Sequence, residues 1–124
     1  MLYPEVSEQV IKSFFHVYNT LGYGFLEKVY ENSLRIALRK AGLEVAQQLP
    51  IAVQFEGEVV GEYFADLVVG GVILVELKAA HAIAAEHEAQ LINYLKATGF
   101  QIGLILNFGP KDEFRRKAFT PSPV

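Results

Sequence analysis

An α/β fold, with a mixed central sheet flanked by helices in the order ααββββαβ, is what the sequence predicts. Three patterns carry the prediction. Two N-terminal segments repeat their apolar residues at intervals of three and four. Four short runs rich in Val, Ile, Phe and Tyr follow them. A further helical period then leads into one last apolar run.

From Val6 to Leu21, the positions Val6, Val10, Phe14, Val17, Tyr18 and Leu21 form one helical stripe, which Ile11 and Phe15 widen and Gly22 and Gly24 end. Leu26, Val29, Tyr30, Ser33, Leu34, Ala37 and Ala41 repeat in the same way, with Gly42 as C-terminal punctuation. Strands are predicted from Leu43 to Leu49, Ile51 to Glu56, Val59 to Val69 and Val72 to Leu77, separated by Pro50, Gly57 and Gly70-Gly71. Connections this short imply antiparallel neighbours. Ile83 to Thr98 has the helical period and closes at Gly99, while Gln101 to Phe108 is an apolar strand bounded by Gly109 and Pro110.

A length of 124 residues suits one domain over residues 1–119, with a flexible tail at 120–124 that carries two prolines. Hydrophobic residues make up 52% of the chain and charged ones 20%, which supplies a core and argues against disorder. The absence of cysteine excludes disulfides, thiol nucleophiles and Cys-based zinc sites. The N-terminus lacks the basic and apolar regions of a signal peptide. The longest apolar stretch, Leu67 to Val75, is broken by two glycines and falls short of the ~20 residues of a membrane span. A cytoplasmic setting without a membrane partner is expected. The net charge of −3 excludes a protein that grips nucleic acid by bulk positive charge. Contact would have to be local, and both basic clusters, Arg35/Arg39/Lys40 and Lys111/Arg115/Arg116/Lys117, read first as solvated faces.

Charge is most informative where it interrupts the apolar runs. Asp66 lies inside Tyr63 to Val69, and Val72 to Lys78 ends in Glu76, Leu77 and Lys78. Strand side chains alternate, so Glu76 and Lys78 share a face roughly 7 Å apart. Singly, each reads as half of an internal ion pair or as a solvated strand end. Together, two acids and a lysine on adjacent strands make a hard-oxygen site suited to Mg²⁺ or Mn²⁺. Register decides whether Asp66 belongs to it. A two-residue turn at Gly70-Gly71 would put Asp66 and Glu76 on opposite faces, whereas a three-residue connection from Gly70 to Val72 sets them opposite each other on one face. The odd-length connection is expected. Gln90 and Tyr94, four apart, share the sheet-facing side of the third helix. Alone, they would be a core amide beside a core tyrosine, and His87 a structural histidine. Glu27 sits in the first turn after Gly24, where the helix dipole favours a negative charge.

Gly24, Glu27 and Tyr30 spell GxxExxY, and from about Val6 to Phe119 the chain resembles the GxxExxY family of the PD-(D/E)XK nuclease-like superfamily. Asp66 with Glu76-Leu77-Lys78 matches the motif that names the superfamily, and Gln90 to Tyr94 matches the QxxxY element of its RecB-like branch. Tyr18 and Phe64 stand where relatives often carry histidine and arginine. The resemblance implies a restriction-endonuclease-like core and metal-dependent hydrolysis of phosphodiester bonds. In that reading Asp66, Glu76, the Leu77 carbonyl and Glu27 hold one or two Mg²⁺ or Mn²⁺ ions, Lys78 orients water or stabilises developing charge, and Gln90 and Tyr94 position substrate. It also implies nucleic acid as partner, with DNA ahead of RNA, and a homodimer as a source of added contact surface. The rival is a catalytically silent module that keeps the fold and binds partners. A carboxylate pair acting on glycosides leaves Lys78 without a role.

Overall fold

The structure, a computed structural model, describes residues 2–120. Its elements are α1 (Pro4–Leu21), α2 (Glu27–Lys40), β1 (Val45–Phe55), β2 (Glu58–Val69), β3 (Ile73–Lys78), α3 (Ala85–Thr98), β4 (Ile102–Phe108) and β5 (Asp112–Ala118). The strands form one mixed sheet in the order β1-β2-β3-β4-β5, with β3 and β4 parallel and the other neighbours antiparallel. Parallel neighbours cannot be joined by a tight turn, and α3 provides the crossover between β3 and β4. This is the predicted α/β class.

Helix α1 begins at Pro4, whose missing N–H would be unpaired in a first turn anyway, and stops at Gly22, where φ is 70°. Val10, Phe14 and Val17 of α1, with Tyr30, Leu34 and Leu38 of α2, cover one sheet face. Tyr30 stacks on Phe108 at 4.3 Å, and Phe14 meets Phe108 edge-on at 4.9 Å. On the opposite face Leu91, Tyr94 and Leu95 of α3 pack on Ile51, Ala65, Val68, Leu74 and Ile105. Gly103 permits that approach, because a Cβ there would lie 2.7 Å from Leu91 Cδ1.

The element order is ααβββαββ and not ααββββαβ. The segments predicted as separate strands at Leu43 to Leu49 and Ile51 to Glu56 are the single strand β1. Pro50 does not break it because β1 is an edge strand, where a missing N–H can face away from the ladder; the residue still pairs with Phe64. At the other edge, β5 lies in a charged segment the apolar pattern does not announce, and Phe114 joins it to the core by an edge-on contact with Phe15. Of the predicted flexible tail at 120–124, residues 121–124 lie outside the described residues.

Between β2 and β3, Val69 pairs with Ile73, so the connection is the expected three residues, 70–72. Gly70 and Gly71 take φ of 62° and 69°, which glycine adopts without the Cβ penalty. Parity along β3 then puts Glu76 on the same side as Leu74, the side that α3 covers, and the three-residue connection brings Asp66 level with it just where the β2–β3 ladder ends.

Candidate active site

The paired stretch of β2 and β3 runs only from Leu67·Val75 to Val69·Ile73, after which β2 continues with β1 as a long hairpin. At this fork the backbone ladder stops and side chains take its place. The Asp66 amide donates to Glu76 Oε1 at 3.1 Å, and the Leu77 amide donates to Asp66 Oδ2 at 2.8 Å. Each acid thus satisfies an amide that the divergence would leave unpaired, which fixes both carboxylates against the other strand.

The fork has a matching distortion in β1. Gln47 pairs with Leu67 and Leu49 with Ala65, while Gln48 and Asp66 between them drop out of the ladder. Gln48 takes φ of 56°, a left-handed conformation that costs a non-glycine residue about 1–2 kcal/mol. Ala65 and Leu67 enter opposite core clusters despite their even spacing, so β2 rolls at Asp66. The strained residue places its amide usefully: Gln48 Nε2 donates to Glu31 Oε1 at 2.9 Å and reaches Asp66 Oδ1 at 3.5 Å. Glu31, 4% exposed on α2, also accepts from Lys28 Nζ and from Gln47 Nε2.

Negative charge is crowded here. Burial, followed by the charge of Asp66, pushes the Glu76 carboxyl up to about 8, so it holds a proton at neutral pH. Burial also raises Asp66, against the Leu77 hydrogen bond, and the Glu31 charge adds to the rise. Glu27, the exposed first residue of α2, is raised by burial against the pull of Lys78. Burial and then the Glu76 charge lift the Tyr94 hydroxyl to about 12, which places that hydroxyl within electrostatic reach of the pair.

The sequence-predicted residues therefore converge to different degrees. Asp66, Glu76 and Leu77 are in direct contact. Half-buried Lys78 is within electrostatic reach of Glu76 and Glu27 but forms no ion pair among the described residues. It lines a cleft of about 470 Å³ with Phe25, Leu26, Glu27 and His87. His87 accepts the Ala84 amide on Nδ1 at 3.0 Å, a helix-start role that leaves Nε2 free. Gln90 and Tyr94 line a second cleft, of about 450 Å³, against the β1–β2 hairpin; the Gln90 amide makes no hydrogen bond among the described residues. A smaller groove of about 240 Å³ between α1 and α2 holds His16 and Lys40 but no acid.

Three contributors escape sequence reasoning. Glu31 continues the spacing Glu27, Glu31, Leu34, Leu38, a stripe whose last two members are buried, so its position was the available signal. Gln48 has no such signal, because nothing in its neighbours announces a positive φ. Asn107 does: it is a polar residue in the apolar run Ile102–Phe108, fully buried, accepting the Ala80 amide at 3.0 Å and donating to the Ala80 carbonyl at 3.1 Å. It clamps the chain just beyond Lys78.

The family model described as the PD-(D/E)XK nuclease superfamily matches residues 4–117. The crystal structure of SSO0001 superposes with a TM-score of 0.56 at 16% identity, over 77% of this chain and 50% of that one. That likeness is one of fold, and the chain spans half the length of the protein it matches. Hjc, a Holliday junction resolvase from the archaeal hyperthermophile Archaeoglobus fulgidus, aligns at a TM-score of 0.43 and 19% identity, over 72% of each chain. No curated protein sequence matches the chain significantly.

Proposed function

The chain belongs to the PD-(D/E)XK nuclease superfamily, has its restriction-endonuclease-like core, and on that footing we propose that it hydrolyses nucleic-acid phosphodiester bonds with Mg²⁺ or Mn²⁺. The observation that carries the proposal is the fork, where Asp66 and Glu76 each accept an amide of the opposite strand while Lys78 follows two residues on.

The donor set fits a hard divalent cation. Both acids are held together strongly enough that the Asp66 charge helps keep Glu76 protonated, and a cation between them would remove that repulsion. Among the described residues no three His, Cys, Asp or Glu side chains cluster closely enough to hold an ion unaided. Asp66, Glu76 and the Leu77 carbonyl would therefore hold one ion or two, with water and phosphate oxygens filling the remaining positions and Glu27 acting through water. When bound, the metal lowers the pKa of a coordinated water and neutralises charge on the phosphate. Lys78, a compact cation near Glu76, orients the attacking water or donates to the phosphoryl oxygens as charge develops. Gln90 and Tyr94 position the substrate strand.

We assign the chain further to the GxxExxY branch. Gly24 has φ of 111°, and the Tyr30 hydroxyl donates to the Gly22 carbonyl at 2.6 Å while accepting the Phe25 amide. Glycine and tyrosine thus support the loop that delivers Glu27 to the cleft. DNA is placed ahead of RNA, in a cytoplasmic setting, with a homodimer as a source of added contact surface.

The test is cleavage of single- and double-stranded DNA and RNA in Mg²⁺, beside Asp66→Ala and Lys78→Ala. Wild type should cleave, and each variant should lose roughly 10²-fold or more in rate. Calorimetric Mg²⁺ binding should vanish in Asp66→Ala and persist in Lys78→Ala. Equal cleavage by all three proteins would discard the mechanism.

A further inference from the structure

Building on the nuclease reading, we infer that the substrate strand enters unpaired, with a base stacked on Tyr63 in the cleft between α3 and the β1–β2 hairpin. This cleft, of about 450 Å³, is lined by Val53, Val60 and Tyr63 from the hairpin and by Gln90, Asn93 and Tyr94 from α3. Tyr94 relates it to the fork, since its ring lines the cleft and its hydroxyl lies within electrostatic reach of Glu76 and Asp66.

The chemistry of the lining suits a nucleobase better than a phosphate. No Lys or Arg lines this cleft among the described residues, so a polyanionic backbone finds no counter-charge in it. Tyr63 is 45% exposed, with its ring 5.7 Å from that of Tyr94, and offers a hydrophobic face to the cleft. Every base has a π-face, and stacking on an aromatic ring is tolerant of sequence. The carboxamides of Gln90 and Asn93 make no hydrogen bonds among the described residues, and each can donate and accept as a Watson–Crick edge requires. In a duplex those faces and edges are already occupied. Only an unpaired nucleotide can use both, while its phosphate stays at the fork beside Lys78.

The proposal is tested by fluorescence anisotropy in Ca²⁺, using a short labelled single strand and a blunt duplex of the same sequence. A parallel strand carrying 2-aminopurine reports stacking directly. Wild type, Tyr63→Phe, Tyr63→Ala and Asn93→Ala are compared, each checked for folding by circular dichroism and for association by sedimentation. The single strand should bind roughly tenfold or more tightly than the duplex, and Tyr63→Ala should lose about 5- to 100-fold in single-strand affinity. Quenching of 2-aminopurine should vanish in Tyr63→Ala and persist in Tyr63→Phe. Equal or tighter duplex binding, or unchanged single-strand binding in both alanine variants, overturns the inference. So does a wild-type dimer that Tyr63→Ala dissociates, since a second copy would then fill the cleft. Cleavage assays on the same samples separate the two claims. Duplex cleavage indifferent to Tyr63 leaves the nuclease reading standing without this one, and tight single-strand binding without cleavage does the reverse.

Discussion

Glu76 ties the site to pH. Its carboxyl is raised from 4.5 to about 8 by burial and the neighbouring Asp66 charge, so between those values the folded chain binds the proton more tightly than the unfolded chain. Stability without metal should therefore be greatest below pH 4.5 as far as this group is concerned, and should fall as pH rises toward 8, by at most about 1.4 kcal/mol per pH unit. Asp66 and Glu27 are raised too and act with the same sign, so Glu76→Gln is the control that isolates the effect. Melting temperatures in EDTA across this range should fall more steeply for wild type than for Glu76→Gln, and Mg²⁺ should reduce the wild-type slope; parallel curves would assign the titration elsewhere. Gln48 makes a second case. In an ordinary strand alanine is more stable than glycine, but φ of 56° reverses the order, so Gln48→Gly should exceed Gln48→Ala by about 1 kcal/mol in urea denaturation. Both variants should lose activity alike, because both lack the amide that reaches Glu31 and Asp66. The two positions show what sequence can reveal. Glu76 is visible because a charge interrupts an apolar run, whereas the conformation of Gln48 arises only when β1 crosses the fork.

At the level of elements, the helices and buried strands could be read from periodicity because each turns one apolar stripe or face toward the sheet. The two sheet edges could not, for opposite reasons: Pro50 is a breaker signal that an edge strand tolerates, and β5 is a strand whose charged residues hide it. The Gly70-Gly71 connection was legible, since only odd parity keeps the acids on one face. The contact between the end of β4 and the segment after β3 was not, and it holds the backbone two residues beyond Lys78. A Cβ on Gly109 would lie 2.1 Å from the Ala80 carbonyl oxygen and 2.9 Å from Asn107 Nδ2, while Asn107 holds Ala80 from both sides. Backbone has little freedom to yield there. Gly109→Ala should cost about 1–3 kcal/mol or more and displace the chain next to Lys78, lowering the rate as well as the stability. Gly103→Ala meets only the branched end of Leu91, so it should disturb α3 packing with a smaller loss of rate at comparable destabilisation. Urea titration and single-turnover cleavage of both variants check this, and equal rates would remove Ala80 from any part in positioning Lys78.

The whole molecule carries a net charge of −3, so its hold on a polyanion should differ from that of a basic DNA-binding protein. Many of its cations are engaged within the fold: Lys28 with Glu31, Arg35 with Gln47, Arg39 with the Val45 carbonyl, Arg116 with the Leu2 carbonyl, and Lys117 with Glu88. That removes much of both basic clusters from the search for phosphate contacts and leaves Lys78 as the cation best placed beside the acids. Each phosphate neutralised by a side chain releases counterions and steepens the fall of affinity with salt, by about 0.7 in the log–log slope for a single strand. With about one such contact, from Lys78, the slope should lie near −0.7, and a fourfold rise in salt at fixed divalent concentration should weaken binding by roughly 2.6-fold. A protein that makes six to ten phosphate contacts loses about 10³–10⁵ over the same interval. The divalent ion should instead dominate, so that chelation abolishes binding which moderate monovalent salt only weakens. Anisotropy titrations across salt, with and without EDTA, measure both effects. A loss near a thousandfold with salt would mean that an extended cationic surface grips the backbone, and the fork would no longer suffice to explain how an acidic chain holds its substrate.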